Sequence, residues 1–431
     1  MPDESADRLR TPDGVRALAL AARLPAQDPL AAASAMRAAG FDAGLAGAAL
    51  TQVALRQRAR AKFGPDADRM FFTRTGLEQA TRGIVATRRA ARLATALGVP
   101  APATTAAPGQ GAPGPPAPGE GARPATSAEP LVADLGCGIG ADTLAMARAG
   151  LRVRAVEADP GTAAIARINA EVHPGRVEVL AVQAQAVDLH DVAAVFCDPA
   201  RRTTGGRRVF SPAAYSPPWD FVLGLPARVP HTVLKLAPGI DHALIPPGVE
   251  AEWVSVDWDV VEAALWCGPL AATPRRATVL RGDAAYELTG SGTAEAEVAP
   301  PGRYLYDPDG AVVRAHLIAE LAASIGATIA DPAIAYLYTA APVATPFARV
   351  YEIFEAVPVA VKKMRAALRA HGIGRLTIAK RGSALDVEWL RRELRLAGDA
   401  EATLVLTRVA GAPAAWLCRA VPPPPPSAAV A

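Results

Sequence analysis

Cysteine is scarce in this chain of 431 residues: Cys137, Cys197, Cys267 and Cys418 stand far apart and form no C-x-x-C pair. That excludes a disulfide framework and the usual structural zinc patterns. Histidine is nearly as sparse, and His190, His231 and His242 have no partners at metal-ligand spacing, so no metal is expected. No apolar run approaches the ~18 residues of a membrane helix. The opening MPDESADRLR is polar and lacks the basic-then-apolar order of a signal peptide. A soluble, cytoplasmic protein without a membrane partner is the expectation. Lysine is outnumbered eightfold by arginine and proline is abundant, at 40 residues; a GC-rich coding sequence accounts for both, so no Arg gains weight merely for being Arg. Net charge is only +3, which by itself calls for neither nucleic acid nor membrane. What is present is apolar: 51% of positions are hydrophobic, enough for a buried core and for two or three domains at ~100–200 residues each.

Residues 1–97 read as a helical domain rich in Ala, Leu and Arg. Thr75 and Glu78 have capping-box spacing and predict one helix running on to Leu97, with Arg82, Arg88, Arg89 and Arg92 on a solvated basic face. Residues 98–130 hold nine Pro and six Gly with almost no bulky apolar side chain. Such a stretch cannot offset its chain entropy by burial and reads as a linker. Residues 131–272 alternate strand and helix patterns, which predicts a parallel α/β sheet; AEWVSVDWD and VEAALWCG would close it as an antiparallel hairpin. Residues 273–345 give a strand and then one helix from Pro308 to Gly326. Residues 346–421 give the strand–helix order of a small α+β domain, and 422–431 a disordered tail. Charge is uneven: residues 1–97 and 346–431 each carry +6, while 129–272 carry −6. Basic ends around an acidic middle suit a polyanion held over a domain that does chemistry.

The chemistry is concentrated at Val132-Ala133-Asp134-Leu135-Gly136-Cys137-Gly138-Ile139-Gly140, where a strand pattern ends and a helix pattern begins. Gly136, Gly138 and Gly140 allow a sharp turn and close approach to a ligand. An acid, Glu157, ends the next strand 17 positions past Gly140, placed to accept from ribose hydroxyls. A dinucleotide site wants Gly-x-Gly-x-x-Gly with pyrophosphate at the helix N-terminus. Here Asp142 occupies that helix start, which opposes a pyrophosphate and tolerates a cationic sulfonium.

The D-L-G-C-G-I-G order resembles class I S-adenosylmethionine-dependent methyltransferases. Over nearly the whole chain the sequence further resembles bacterial methyltransferases with a C-terminal THUMP-like domain. Glu78-Gln-Ala-Thr-Arg82, Asp198-Pro-Ala-Arg-Arg202, Lys235-Leu-Ala-Pro-Gly239, Tyr304-Leu-Tyr-Asp-Pro308, Lys380-Arg-Gly382 and Glu401-Ala-Thr-Leu-Val-Leu406 carry it. The resemblance implies a Rossmann-like core between a helical N-terminal domain and a small α+β THUMP-like domain, with S-adenosylmethionine as cofactor. It implies cofactor contacts from Asp134, Gly136, Cys137, Gly138, Gly140 and Glu157, and from Gln185 near the adenine, where the family more often has Asp; Asp188 is a nearby substitute. THUMP domains are associated with RNA modification, so RNA is the implied partner. In the C-terminal domain Lys362, Lys363, Arg365 and Arg369, with Lys380 and Arg381, then read as an RNA-backbone surface.

Asp198 and Pro199 fall where nucleic-acid methyltransferases place an Asp/Asn-Pro-Pro loop at the acceptor. Three acceptor chemistries differ in what they ask of the chain. Methylation of a base amine asks an acid and a loop carbonyl to take its N–H bonds. Asp198 supplies the acid, Pro199 stiffens the loop, and Arg201 stands where such loops usually carry a stacking aromatic. Methylation at pyrimidine C5 asks for a Cys nucleophile at the end of the next strand. This chain has Lys235-Leu236-Ala237-Pro238 there, and Cys197 and Cys267 read as buried strand cysteines. Ribose 2′-O-methylation asks for two lysines with acids; Lys235, Asp198 and Glu262 fit, but the only earlier lysine, Lys62, lies beyond the linker. Arg201, Arg202, Arg207 and Arg208 around Gly205-Gly206 read as a phosphate grip. The expected enzyme is thus an RNA methyltransferase acting on a base amine, with ribose 2′-O next. Its rivals are a small-molecule or protein methyltransferase and an inactive cofactor-binding RNA-binding protein.

Overall fold

The structure is a computed structural model that describes residues 2–25, 28–100, 129–201 and 215–422. Most of the 98–130 linker, the residues Arg202, Arg207 and Arg208, and nearly all of the tail lie outside the described residues. The chain divides into two compact units, Met1–Lys235 with Cys267–Leu270, and Leu236–Trp266 with Ala271–Ala431.

The first unit opens with helices α1 (Pro2–Arg10), α2 (Pro12–Ala21), α3 (Pro29–Ala38), α4 (Ala43–Phe63), α5 (Arg74–Gln79) and α6 (Gly83–Ala96). The single helix expected from Thr75 to Leu97 is therefore two. Thr73, not Thr75, is the N-cap of α5, its hydroxyl accepting from Gly76 N. The break has a distant cause: Lys62 Nζ donates to the carbonyls of Leu77, Glu78 and Ala80 at 2.6, 2.9 and 3.1 Å. These are the acceptors a helix leaves unsatisfied at its C-terminus, and Lys62 takes them in place of another turn.

The strands of this unit are β1 (Leu131–Leu135), β2 (Arg152–Val156), β3 (Val177–Leu180), β4 (Ala194–Cys197), the short pair β5 (Ala200–Arg201) and β6 (Tyr215–Ser216), and β7 (Thr232–Leu236). The parallel order is β7-β4-β1-β2-β3, with β1 central and buried. Helices α7 (Ala141–Arg148), α8 (Pro160–Ala170) and α9 (Trp219–Arg228) fill the crossovers. The reversal of strand order beside β1 is the switch point at which open α/β sheets bind ligands. The N-terminal helices share one hydrophobic core with Ile139, Leu144 and Ile165. Gly76 lies so close to Ile139 that a Cβ there would meet its Cγ2 at 2.4 Å. Asn169 on α8 accepts from Phe71 N at 2.7 Å and donates to Ile139 O at 2.9 Å.

The second unit contains β8 (Glu250–Val256), β9 (Asp259–Trp266), β10 (Arg275–Arg281) and β11 (Ala284–Gly290), in the order β11-β10-β8-β9. The β8–β9 hairpin is antiparallel as expected. β10 and β11, which the sequence pattern missed, extend the same sheet past residue 272. A seven-stranded sheet follows, built from β12 (Tyr304–Pro308), β13 (Thr328–Ile329), β14 (Leu337–Thr339), β15 (Ala348–Val357), β16 (Ile373–Lys380), β17 (Ala400–Val409) and β18 (Ala412–Val421). α12 (Val361–Ala370) and α13 (Val387–Leu394) supply its core with Met364, Leu368, Leu390 and Leu394. The helix expected from Pro308 to Gly326 is instead two, α10 (Gly310–Arg314) and α11 (Ile318–Ile325), parted at His316, whose φ is +59°. Gly326 does stop α11, in the left-handed conformation a helix C-cap favours. No helix among the described residues is long and apolar enough to cross a membrane.

Candidate active site

The glycine loop is built by the end of β1. Gly136 N and Cys137 N both donate to Val156 O, at 2.9 and 3.0 Å, which folds the chain sharply beside β2. Gly136 and Gly140 have φ of +91° and Gly138 of +55°, conformations that exact a cost from any residue with a Cβ. A Cβ on Gly136 would stand 2.7 Å from the carbonyl oxygen of Asp198, whereas one on Gly138 would meet nothing within 4 Å. The loop is thus packed on one side and open at its crest. Glu157 is drawn to it: Oε2 accepts from Gly138 N at 3.1 Å, and Oε1 from Asp159 N at 2.9 Å.

Asp134 lies wholly buried under the loop. Oδ2 accepts from Thr143 Oγ1, while Oδ1 has no partner among the described residues. Burial, with the negative charge of Asp142 next, pushes its carboxyl up to about 8. An orphaned carboxyl oxygen and an open glycine crest fit a ligand that brings hydrogen-bonding groups of its own. Cys137 is buried and its thiol is pushed well above its ordinary value, chiefly by burial. It is a packing residue of the loop, with no thiolate character. Gln185 is exposed on a short 3-10 turn, Ala184–Ala186, and Asp188 accepts from His190 N at 3.0 Å.

Asp142 does not stand open to a ligand. Its carboxylate is paired with Arg89 of α6 and accepts from Thr81 Oγ1 at 2.6 Å. Both members of the ion pair are buried, and the Arg89 guanidinium also lies 4.6 Å from the centroid of the Phe196 ring on β4. Arg89 therefore does not belong to a solvated face. Arg92 likewise donates to Leu270 O at 2.9 Å. The signal was available: Arg89 is four residues from Val85 and Leu93 and three from Ala86, on the buried stripe of α6.

On the other side of β1, Asp198 follows β4, its N–H donating to Leu135 O at 3.1 Å. Lys235, near the end of β7, reaches it: Nζ to Oδ2 is 2.5 Å. Pro199 is buried. The Arg201 backbone pairs with that of Tyr215 across β5 and β6. Tyr215 is itself against Trp219, with ring centroids 5.3 Å apart. Cys197 is buried in β4 and Cys267 is buried just past β9; burial pushes the first thiol well above its usual range and the second up to about 12. Lys62 lies close enough that the charges of Arg82 and Lys235 add to burial in pushing its ammonium down. Its three carbonyl acceptors use all three N–H bonds of an ammonium. Glu262 is buried in β9. Among the described residues, no group of three or more His, Cys, Asp or Glu could hold a metal ion.

Of the basic residues expected on the C-terminal surface, three are spent internally. Arg365 Nε donates to Glu393 O at 3.0 Å, Lys380 to Leu385 O at 2.9 Å, and Arg381 binds Asp307 at 2.7 Å. Lys362, Lys363 and Arg369 remain exposed on α12, as do Trp389 and Arg392 on α13, where Arg391 donates to Leu376 O at 2.9 Å.

A THUMP domain-like family model matches residues 348–420, and a domain of unknown function matches residues 4–59. An uncharacterized S-adenosylmethionine-dependent methyltransferase of Mycobacterium tuberculosis is 32% identical over 385 residues, covering 85% of this chain and 94% of that protein. A candidate methyltransferase from Porphyromonas gingivalis, known as a crystal structure, shares the fold with a TM-score of 0.69. It is 18% identical, and the match covers 94% of this chain and 98% of the other.

Proposed function

This chain belongs to the S-adenosylmethionine-dependent methyltransferases, and from that premise we propose that it methylates RNA, at an exocyclic base amine, with Asp198 orienting the acceptor. S-adenosylmethionine supplies a methyl group on a sulfonium, open to in-line displacement. The remaining work is alignment, which holding two reactants in position can supply. Asp134, Gly136, Cys137, Gly138, Gly140 and Glu157 would hold the cofactor, with Gln185 near its adenine end. The open crest at Gly138 and the unpartnered Asp134 oxygen support this assignment.

The observation that carries the acceptor assignment is the seating of Asp198. Its carbonyl abuts Gly136 of the glycine loop and its carboxylate is held by Lys235. Oδ2 is occupied by Lys235, so the other oxygen is the one to accept an amine N–H. Pro199 stiffens the loop so that a backbone carbonyl can accept the second N–H, which leaves the nitrogen lone pair directed at the methyl group. Lys235 would fix the carboxylate's orientation, and Arg201 would support the base.

A ribose 2′-hydroxyl is the second acceptor, favoured by the direct contact of Lys235 with Asp198. A two-lysine arrangement would need Lys62, whose N–H bonds are already given to three carbonyls. Cysteine chemistry at pyrimidine C5 is disfavoured by the buried, un-ionised thiols of Cys197 and Cys267.

RNA as the substrate is supported by the THUMP domain-like match and by the exposed Lys362, Lys363 and Arg369 of α12, with Trp389 and Arg392 on α13. Cations that meet phosphates and an aromatic that can stack on a base are the two components of unpaired-strand binding. The test is calorimetric titration of S-adenosylmethionine with and without bulk cellular RNA, followed by nucleoside mass analysis of the digested RNA. A new N-methylated nucleoside is the expected product. A 2′-O-methylated one moves the acceptor to ribose, and cofactor binding with no new nucleoside rejects RNA as the substrate.

A further inference from the structure

Methyl transfer leaves one constellation of the second unit unused. The His242 ring stacks on Trp253, with centroids 5.0 Å apart and planes 14° apart, and on His316, at 4.0 Å and 9°. One imidazole cannot carry two flat rings on the same face at these distances, so His242 is the middle of a three-ring stack. The stack is graded from core to water: Trp253 is fully buried, His242 half-buried and His316 exposed.

Each ring is held. Trp253 Nε1 donates to Pro238 O at 3.0 Å, and Arg314 Nη1 donates to the same carbonyl at 3.1 Å. Pro238 lies three residues after Lys235 in the chain. Asp241 caps the turn that carries His242, accepting from Ala243 N at 2.9 Å. His316 sits at the break between α10 and α11 with φ +59°. A non-glycine residue in that region persists only where its surroundings fix it, and such positions gather at functional sites.

Packing accounts for Trp253 and for the inner face of His242. It does not account for an outermost ring left in water, since an exposed aromatic face on a finished stack buries nothing further. Arg314, exposed two residues away, keeps most of its five N–H donors beyond the one given to Pro238. We propose that the open face of His316 is a stacking site for an unpaired nucleobase of the RNA, with Arg314 beside it for the adjoining phosphate. Nucleobases stack on imidazole as on other aromatic side chains. This rests on the RNA reading above and adds to it a specific contact outside the reacting centre.

The test uses the full chain and a single-stranded oligoribonucleotide carrying 2-aminopurine, whose fluorescence is quenched on stacking. Anisotropy reports binding independently. His316→Asn removes the ring with a residue that tolerates a left-handed backbone, and His316→Phe keeps a stacking face. The wild type and His316→Phe should bind with quenching. His316→Asn should lose the quenching and bind roughly 5- to 140-fold more weakly, the range expected for one base–aromatic stack. Affinity for S-adenosylmethionine should be equal in all three, and matching far-ultraviolet circular dichroism and thermal melting curves verify the fold. If His316→Asn binds and quenches like the wild type, the stacking site is wrong while the RNA reading stands. If the wild type gives no anisotropy change, both fall together.

Discussion

Lys235 and Asp198 meet at 2.5 Å, one from the end of β7 and the other from the turn after β4. The lysine side chain is 13% exposed and the aspartate 32%, so removing the carboxylate takes a short, largely buried ion-pair contact from the ammonium. Asp198→Ala would therefore mix loss of chemistry with a stability cost of about 1–3 kcal/mol. Asp198→Asn separates the two, because its amide oxygen still accepts from Lys235. Turnover of Asp198→Asn should fall by roughly 10²–10⁴-fold, with the dissociation constant of S-adenosylmethionine changed by less than about threefold. Equal collapse of cofactor binding, read by calorimetry, would remove Asp198 from the acceptor role.

Arg89→Met should be among the most destabilising single changes in the first unit. It strands the buried Asp142, and breaking a buried pair by removing one partner costs about 3–5 kcal/mol. The double variant Arg89→Met with Asp142→Leu should be less destabilised than the sum of its parts. Chemical denaturation of the three variants measures the coupling.

Gly136 and Gly138 should separate folding from binding. At Gly136 an added methyl collides with the Asp198 backbone at 2.7 Å, so Gly136→Ala should lower stability and disturb both halves of the site. At Gly138 the space is open, and Gly138→Ala carries only the backbone strain of φ +55°, about 1 kcal/mol. Its melting temperature should stay near that of the wild type while affinity for S-adenosylmethionine drops at least tenfold.

Asp134 sets a pH dependence with a definite sign. Its carboxyl is pushed to about 8 in the fold against an ordinary 3.8. Between those values the native state binds the extra proton, so stability of the cofactor-free protein should fall as pH rises from about 4 to about 8. Asp134→Asn should flatten that slope in denaturation curves taken across the range. A slope unchanged by the substitution would show that the carboxyl is not held protonated.

Much of the architecture was legible from local patterns. The alternation from Leu131 to Leu236, the β8–β9 hairpin and the β15-to-β18 order follow from apolar periodicity and turn residues. The errors are where a distant residue decides. Lys62 ends α5 from more than a dozen positions away, which no capping rule applied to Thr75 and Glu78 can anticipate. β11 is largely exposed and lacks the apolar alternation that marks a half-buried strand in a sequence. Glu157, Asp198 and Lys235 were legible as a set because strand ends in a parallel sheet converge. The charge of Arg89 points to a solvated face, whereas its place on the apolar stripe of α6 points inward, and the stripe decides.

The clasp between α6 and α7 also bears on how the polypeptide is wired. Arg89 and Thr81 hold Asp142, and Asn169 grips Phe71, so the first hundred residues are fastened to the sheet by side chains on both flanks of the glycine loop. The chain between α6 and β1 then joins parts already fastened to each other, and the entropic cost of closing such a connection grows only with the logarithm of its length. Chains cut or lengthened between Leu97 and Leu131 should therefore keep the N-terminal helices seated beside the glycine loop.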